Sequence, residues 1–168
     1  MNDTRTAAAR PDEDDQAQPM GREAIPEIAR IVKAIDICMF ATRGDDGELQ
    51  ARPMSNNGEV EWDGTSWFFA PSSGRLVAEV QADPQALTTY RAEDRFAWVA
   101  LSGEASIVED DEAKRRLWLT ELERWFPNGP EDPGVVLIRF DATGARWWTE
   151  QGDGRADLSQ RDPALARA

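Results

Sequence analysis

Three turn signals lie within a short stretch of this chain: Gly44-Asp45-Asp46-Gly47, Asn56-Asn57-Gly58 and Asp63-Gly64. They separate apolar runs at 37–43, 48–55, 59–62 and 65–70. Asn-Gly and Asp-Gly accept the positive φ angles of a type I′ turn, so each marks a hairpin between the runs that flank it. The spacing predicts four antiparallel strands in succession, an arrangement in which neighbouring strands need no helical crossover.

The remaining segments fit around that meander. Ile25, Ile28, Val32 and Ile35 recur at helical spacing, with Pro26 tolerable in a first turn, and predict an amphipathic helix over 22–35. Leu76, Val77 and Val80 give 75–81 one apolar side and the length of a short helix. Strand character returns at 86–91 and 95–109, where Gly103 suggests a bulge. Asp110 and Asp111 can cap a helix over 111–126 that buries Trp118, Leu122 and Trp125. Two last strands, 135–141 and 145–149, are predicted to be joined by Ala142-Thr143-Gly144. Residues 1–21 carry the acidic run Asp12-Glu13-Asp14-Asp15, and residues 150–168 offer only Leu158 and Leu165 for burial, so both are expected to be disordered tails. One domain over 22–149 follows, mainly β, with six or more antiparallel strands forming a small barrel and helices inserted between them.

Charge and composition narrow the function. Thirty-two acidic against nineteen basic residues leave a net charge of −13, a field that repels nucleic-acid phosphates and anionic lipid headgroups. The chain has no histidine, which removes His-based triads, imidazole acid–base chemistry and the usual zinc sites; no metal-ligand spacing is present. The single cysteine, Cys38, sits in the apolar run Ile37-Cys38-Met39-Phe40 and reads as a buried structural thiol. No stretch reaches the ~20 apolar residues of a membrane span, and a cytoplasmic location is expected. Five of the seven tryptophans fall between Trp98 and Trp148.

Lysine occurs only as Lys33 and Lys114, so arginine carries the positive charge. Arg52 lies in the second run, within Ala51-Arg52-Pro53-Met54-Ser55, and Arg75 opens the short helix after Ser72-Ser73-Gly74. A helix N-terminus with small hydroxyl residues and a guanidinium suits a phosphate dianion. The other reading, that Ser73 only caps the helix and Arg75 is a surface residue, stays open on spacing alone. No side chains are assigned as catalytic.

Several segments together carry a family resemblance: Phe40-Ala41-Thr42, Ala51-Arg52-Pro53-Met54, Trp67-Phe68-Phe69-Ala70, Ser73-Gly74-Arg75-Leu76-Val77, Leu101-Ser102-Gly103-Glu104-Ala105, and Trp125-Phe126-Pro127-Asn128-Gly129-Pro130. In this order they resemble the general stress protein branch of the pyridoxamine-phosphate-oxidase-like, FMN-binding split-barrel proteins. The resemblance implies a six-stranded antiparallel split β-barrel with inserted helices, forming a homodimer with one FMN at each of two sites between subunits. It implies that the flavin ring lies along Arg52, Pro53, Met54 and Ser55, with Phe69 and Ala70 from the neighbouring strand end. Arg52, Ser73 and Arg75 would hold the phosphate, while Trp98 and Trp148 would close the ring pocket. Ala70 and Arg75 stand where the family commonly has Thr and Lys. The activity implied is a flavin-dependent oxidoreductase of unknown substrate with a stress-related role. Alternatives are a flavin store or sensor without efficient turnover, a deazaflavin-dependent reductase, and a cofactor-free interaction domain.

Overall fold

The computed structural model describes residues 20–57 and 60–159. One antiparallel sheet organises them, with strands β1 (Ile37–Arg43), β2 (Leu49–Ser55), β3 (Thr65–Pro71), β4 (Gln85–Arg91), β5 (Ala97–Val108), β6 (Val135–Thr149) and β7 (Gly152–Asp157). The order is β2-β1-β4-β5-β6-β3, and β7 also pairs with β6. Helix α1 (Ile25–Val32) precedes β1, and α2 (Arg75–Ala82) and α3 (Asp111–Leu117) are inserted between strands. The sheet curls until its two end strands, β2 and β3, touch without forming a ladder. That seam is the split in the barrel.

The first turn signal behaves as expected: β1 and β2 form a hairpin in register from Arg43↔Leu49 to Ile37↔Ser55, and Gly47 takes φ +83. The next two do not. Residues 60–62 form no strand, Gly58 lies outside the described residues, and β3 pairs with β6 rather than with a meander neighbour. The segment leaves the sheet because Asn56 is drawn into the interior, where its amide donates to the carbonyls of Val32 and Ile35 at the end of α1. Gly64, at φ +109, then redirects the chain into β3.

Two further expectations are corrected at β6. Residues 135–149 are one strand, not two joined by a turn. Its first half pairs with β3 and its second with β7, while β5 runs along the other edge throughout. Gly144 allows a close approach and makes no turn: a Cβ there would stand 2.8 Å from Ser102 Oγ. The register slips between Ser102 and Gly103, where an added Cβ would meet the Asp141 carbonyl oxygen at 2.1 Å. Only glycine fits, and the bulge lets the long pair bend around the core.

The predicted helix over 111–126 is also divided. Asp110 caps α3, its carboxylate accepting from the amides of Glu112 and Ala113. The chain is extended at Trp118 and resumes as a 3₁₀ turn over Thr120–Arg124. The predicted helix over 22–35 is likewise a short 3₁₀ turn, Arg22–Ala24, followed by α1.

The C-terminal tail is corrected over its first part. β7 completes the sheet, Ala156 and Leu158 are buried, and Met20 bridges Ala156, so residues 150–159 and 20–21 belong to the folded body. The remainder of both predicted tails lies outside the described residues.

Inside the barrel, Phe40 meets Phe68 and Phe140 edge to face at 5.1 and 5.9 Å, and Ile28, Ile31 and Val32 of α1 close one end. Cys38 is buried here, and burial pushes its thiol up to about 12, so it is inert as a nucleophile. A smaller cluster joins Phe69, Leu117, Leu122 and Leu137 with Trp118 and Phe126 packed against it. No helix among the described residues is long and apolar enough to cross a membrane.

Candidate functional site

The seam between β2 and β3 opens into a groove of about 860 Å³. β2 supplies residues 50–55, β3 supplies Phe69, Ala70 and Pro71, the start of α2 supplies Gly74, Arg75 and Leu76, and the turn after α3 supplies Leu122, Trp125 and Phe126. β2 is an end strand, so one of its backbone edges has no sheet partner. Pro53 is tolerated there because an edge position need not donate to a ladder. The opposite wall is aromatic. Trp118 meets Phe69 edge-on at 5.1 Å and lies 6.2 Å from Phe126, which fixes both groove-lining rings from behind.

Arg52 and Arg75 are the charged side chains that line the groove. A buried carboxylate joins them. Glu79, one turn into α2 and with a side chain only 3% exposed, accepts from Arg52 Nη2 and from Thr42 Oγ1, both at 2.6 Å. Arg75 Nε stands 2.9 Å from the other carboxylate oxygen, Oε1, but its N–H is not aligned for a hydrogen bond, so Oε1 accepts none. Arg52 also donates to Thr42. Burial pushes the Glu79 carboxyl up, but the Thr42 hydroxyl and the two guanidiniums outweigh it and hold it below its ordinary value. Glu79 is therefore ionised at neutral pH.

The two arginines play unequal parts. Arg52 is 23% exposed and spends its fork inward on Thr42 and Glu79; Arg75 is 61% exposed, with one terminal amino group beside Gly44 of the β1–β2 hairpin. Burial alternates along β2 because Arg52 is paired across from buried Phe40 and Met54 across from buried Cys38.

Seven of the ten residues expected at the site line the groove: Arg52, Pro53, Met54, Ser55, Phe69, Ala70 and Arg75. Ser73 is exposed one position outside it, and Gly74, not Ser73, stands at the N-terminal cap of α2 with no side-chain cap bond. Trp98 and Trp148 lie elsewhere. They are cross-strand neighbours on the outward face of β5 and β6, with Arg91 stacked over Trp98 at 5.5 Å, so they do not close the groove of their own chain.

Sequence reasoning missed Glu79, Thr42 and the wall formed by Leu122, Trp125 and Phe126. A signal for Glu79 existed: three residues after Leu76 and one before Val80, it falls on the apolar side of α2, where a solvated acid does not belong.

The model of the family described as "Pyridoxamine 5'-phosphate oxidase like" matches residues 23–159. General stress protein 26 of Bacillus subtilis is 38% identical over 45 residues, a match covering 27% of this chain and 31% of that protein's length. Among solved structures, a protein related to general stress protein 26 from Clostridium acetobutylicum superposes with a TM-score of 0.71 at 20% identity, covering 83% of this chain and 98% of that one. General stress protein 26 from Bacillus anthracis gives 0.65 at 20% identity over 74% and 93%. A heme binding protein from Mycobacterium smegmatis gives 0.65 at 18% identity over 80% and 57%. The three structures share the fold, the split barrel with its inserted helices, here with seven strands where six were expected. With its family model matched over nearly the whole described body, the chain belongs to the pyridoxamine 5'-phosphate oxidase-like family.

Proposed function

We propose that the chain is an FMN-binding protein that acts as a flavin-dependent oxidoreductase, with the flavin in the β2–β3 groove. The observation that carries this reading is the pairing, in one groove, of a single cationic end at Arg75 and Arg52 with an unpaired strand edge and an aromatic wall. A flavin mononucleotide has the matching parts: a phosphate, a hydrogen-bonding pyrimidine edge and a broad aromatic plane. The residues fit the group. Arg75 would take the phosphate, with Ser73 beside it and Arg52 behind it. Residues 52–55 would present backbone groups to the ring edge, and Phe69, Ala70 and Trp125 would exclude water from its face. The bound flavin would supply hydride and electron transfer, and the chain's own work is to bind, orient and desolvate.

A homodimer goes with this reading. Ile37, Met39, Leu87 and Trp98 expose large apolar area on the outward sheet face, with Trp148 beside Trp98, and Ile37 also lines the groove. A second copy seated on that face would border the groove and cover an apolar surface a monomer would leave in water. A cytoplasmic location and a role in stress protection complete the proposal.

The experiment is a titration of the purified chain with FMN, followed by flavin fluorescence and visible absorption. Saturation at one FMN per chain, with a structured and shifted flavin band, is expected. An unchanged spectrum through a large excess of FMN would contradict the reading.

A further inference from the structure

We infer that Asn57 is a positioning residue of the groove: by taking the Leu117 carbonyl it ends α3 there, and so turns Trp118 onto the two rings that wall the groove. The inference rests on the groove being the flavin site, and it names a residue that shapes the groove without touching the ligand.

The break after α3 has no local cause. From Asp111 to Phe126 the chain holds no glycine or proline, and Trp118, Leu122 and Trp125 recur at helical spacing, so the sequence favours one helix running on to Pro127. The helix stops at Leu117 instead, and Trp118 takes φ −67 and ψ 133. In a continued helix the Leu117 carbonyl would accept from the amide of Glu121. Here it accepts from Asn57 Nδ2 at 2.9 Å, across 60 residues of sequence. Leu117 is buried, so a carbonyl released from the helix at this point needs a partner, and the side-chain amide is that partner.

This bond also orients the amide. Asn57 Oδ1 is buried and without a hydrogen bond among the described residues, and exchanging the two ends of the amide would set oxygen against the Leu117 oxygen. Asn57 stands two residues beyond β2, whose residues 50–55 line the groove. Its neighbour Asn56 bonds the carbonyls at the end of α1, so two adjacent side chains tie the end of β2 to the ends of two helices. Beyond the bond, Trp118 meets Phe69 at 5.1 Å and Phe126 at 6.2 Å, and both of those rings line the groove. A helix continued past Leu117 would advance only about 1.5 Å per residue where the chain is now extended, and would carry Trp118 and Phe126 away from Phe69.

The test uses the full chain and riboflavin, which has the flavin ring without the phosphate. A proline at position 120 supplies the break by other means. Thr120 is exposed and opens the 3₁₀ turn, where a proline fits, and Leu119 before it is at ψ 138, which a following proline accepts. Inside a continuous helix the same proline is not tolerated. Asn57→Ala is expected to weaken riboflavin binding at least about tenfold and to raise the helical signal in far-UV circular dichroism. Asn57→Ala combined with Thr120→Pro is expected to bind within about threefold of the natural chain and to return the helical signal to its natural level. Thr120→Pro alone should match the natural chain. A hydrogen bond that contributed stability and nothing more would not be replaced by a proline elsewhere in the chain. Unchanged riboflavin binding or an unchanged helical signal in Asn57→Ala overturns the inference, and so does a double variant that binds no better than Asn57→Ala. If Asn57→Ala does not fold, the double variant decides: natural affinity supports the inference, and failure to fold or to bind overturns it. If the natural chain binds no flavin, the flavin reading fails separately and circular dichroism decides. A helical gain in Asn57→Ala that the proline reverses then supports the inference, and the absence of that gain overturns it.

Discussion

Gly154 lies flat against the indole of Trp147: a Cβ added to it would stand 2.2 Å from Cζ2 and 2.5 Å from Cε2 of that ring. The two residues are paired across β6 and β7, so the glycine is what lets the last strand cover the buried tryptophan. Gly154→Ala must push β7 away or shift a ring held in the core, a cost of about 1–3 kcal/mol. A lower urea midpoint with an unchanged slope is expected, whereas a midpoint equal to that of the natural chain would show that β7 does not seal the core.

Arg52→Ala removes the stronger partner of a buried carboxylate. Arg52 is itself partly exposed, so the expected loss at neutral pH is about 2–4 kcal/mol, toward the lower part of the cost of stranding one member of a buried pair. The pH dependence has a definite sign. In the natural chain the Glu79 carboxyl is held below 4.5, so its contribution to stability is present above that value and is lost as pH falls through the lowered folded value. Without Arg52, burial dominates and protonation relieves the stranded charge. The stability gap between the two proteins should therefore narrow from neutral pH to about pH 4. A gap that is constant with pH in urea melts would mean that Glu79 is not the group left unpaired.

The fold was largely readable where glycine or proline marks a turn, and was misread where the same residues serve another purpose. Gly47 sits in a true hairpin with positive φ, so Gly44-Asp45-Asp46-Gly47 led directly to β1 and β2. Gly144 looked like another turn, yet it lies inside β6, paired with Ser102 on β5 and Asp157 on β7, long-range facts that no local pattern carries. β7, Gly-Asp-Gly-Arg-Ala-Asp, has little strand propensity of its own and is held by pairing with β6 and by room over Trp147. Most of the groove was legible because Arg52 and Arg75 stand out in an acidic chain. Glu79 was hidden by the abundance of acids, and the aromatic wall by a helix that breaks at Trp118.

The outward face of the sheet gives a prediction about assembly. Trp98 is 41% exposed and already has Arg91 over its ring, so Trp98→Arg would place a second cation beside the first on that face. If this face is where two copies meet, the substitution should weaken self-association by about 2 kcal/mol or more, the scale of a central tryptophan. Sedimentation should then show monomer at concentrations where the natural chain is a dimer, with an unchanged circular dichroism spectrum. An unaltered dimer would move the interface elsewhere and leave Trp98 and Trp148 without a part in the site.

Calorimetry with FMN and riboflavin on Arg75→Ala reads whether Arg75 meets a flavin's phosphate. Arg75 is exposed and its loss leaves Arg52 on Glu79, so the fold should survive. FMN binding should weaken by about 1.5–3 kcal/mol, the scale of a charge-assisted hydrogen bond, while riboflavin binding is unchanged. Equal losses for both ligands, or no loss for either, would put Arg75 away from the phosphate.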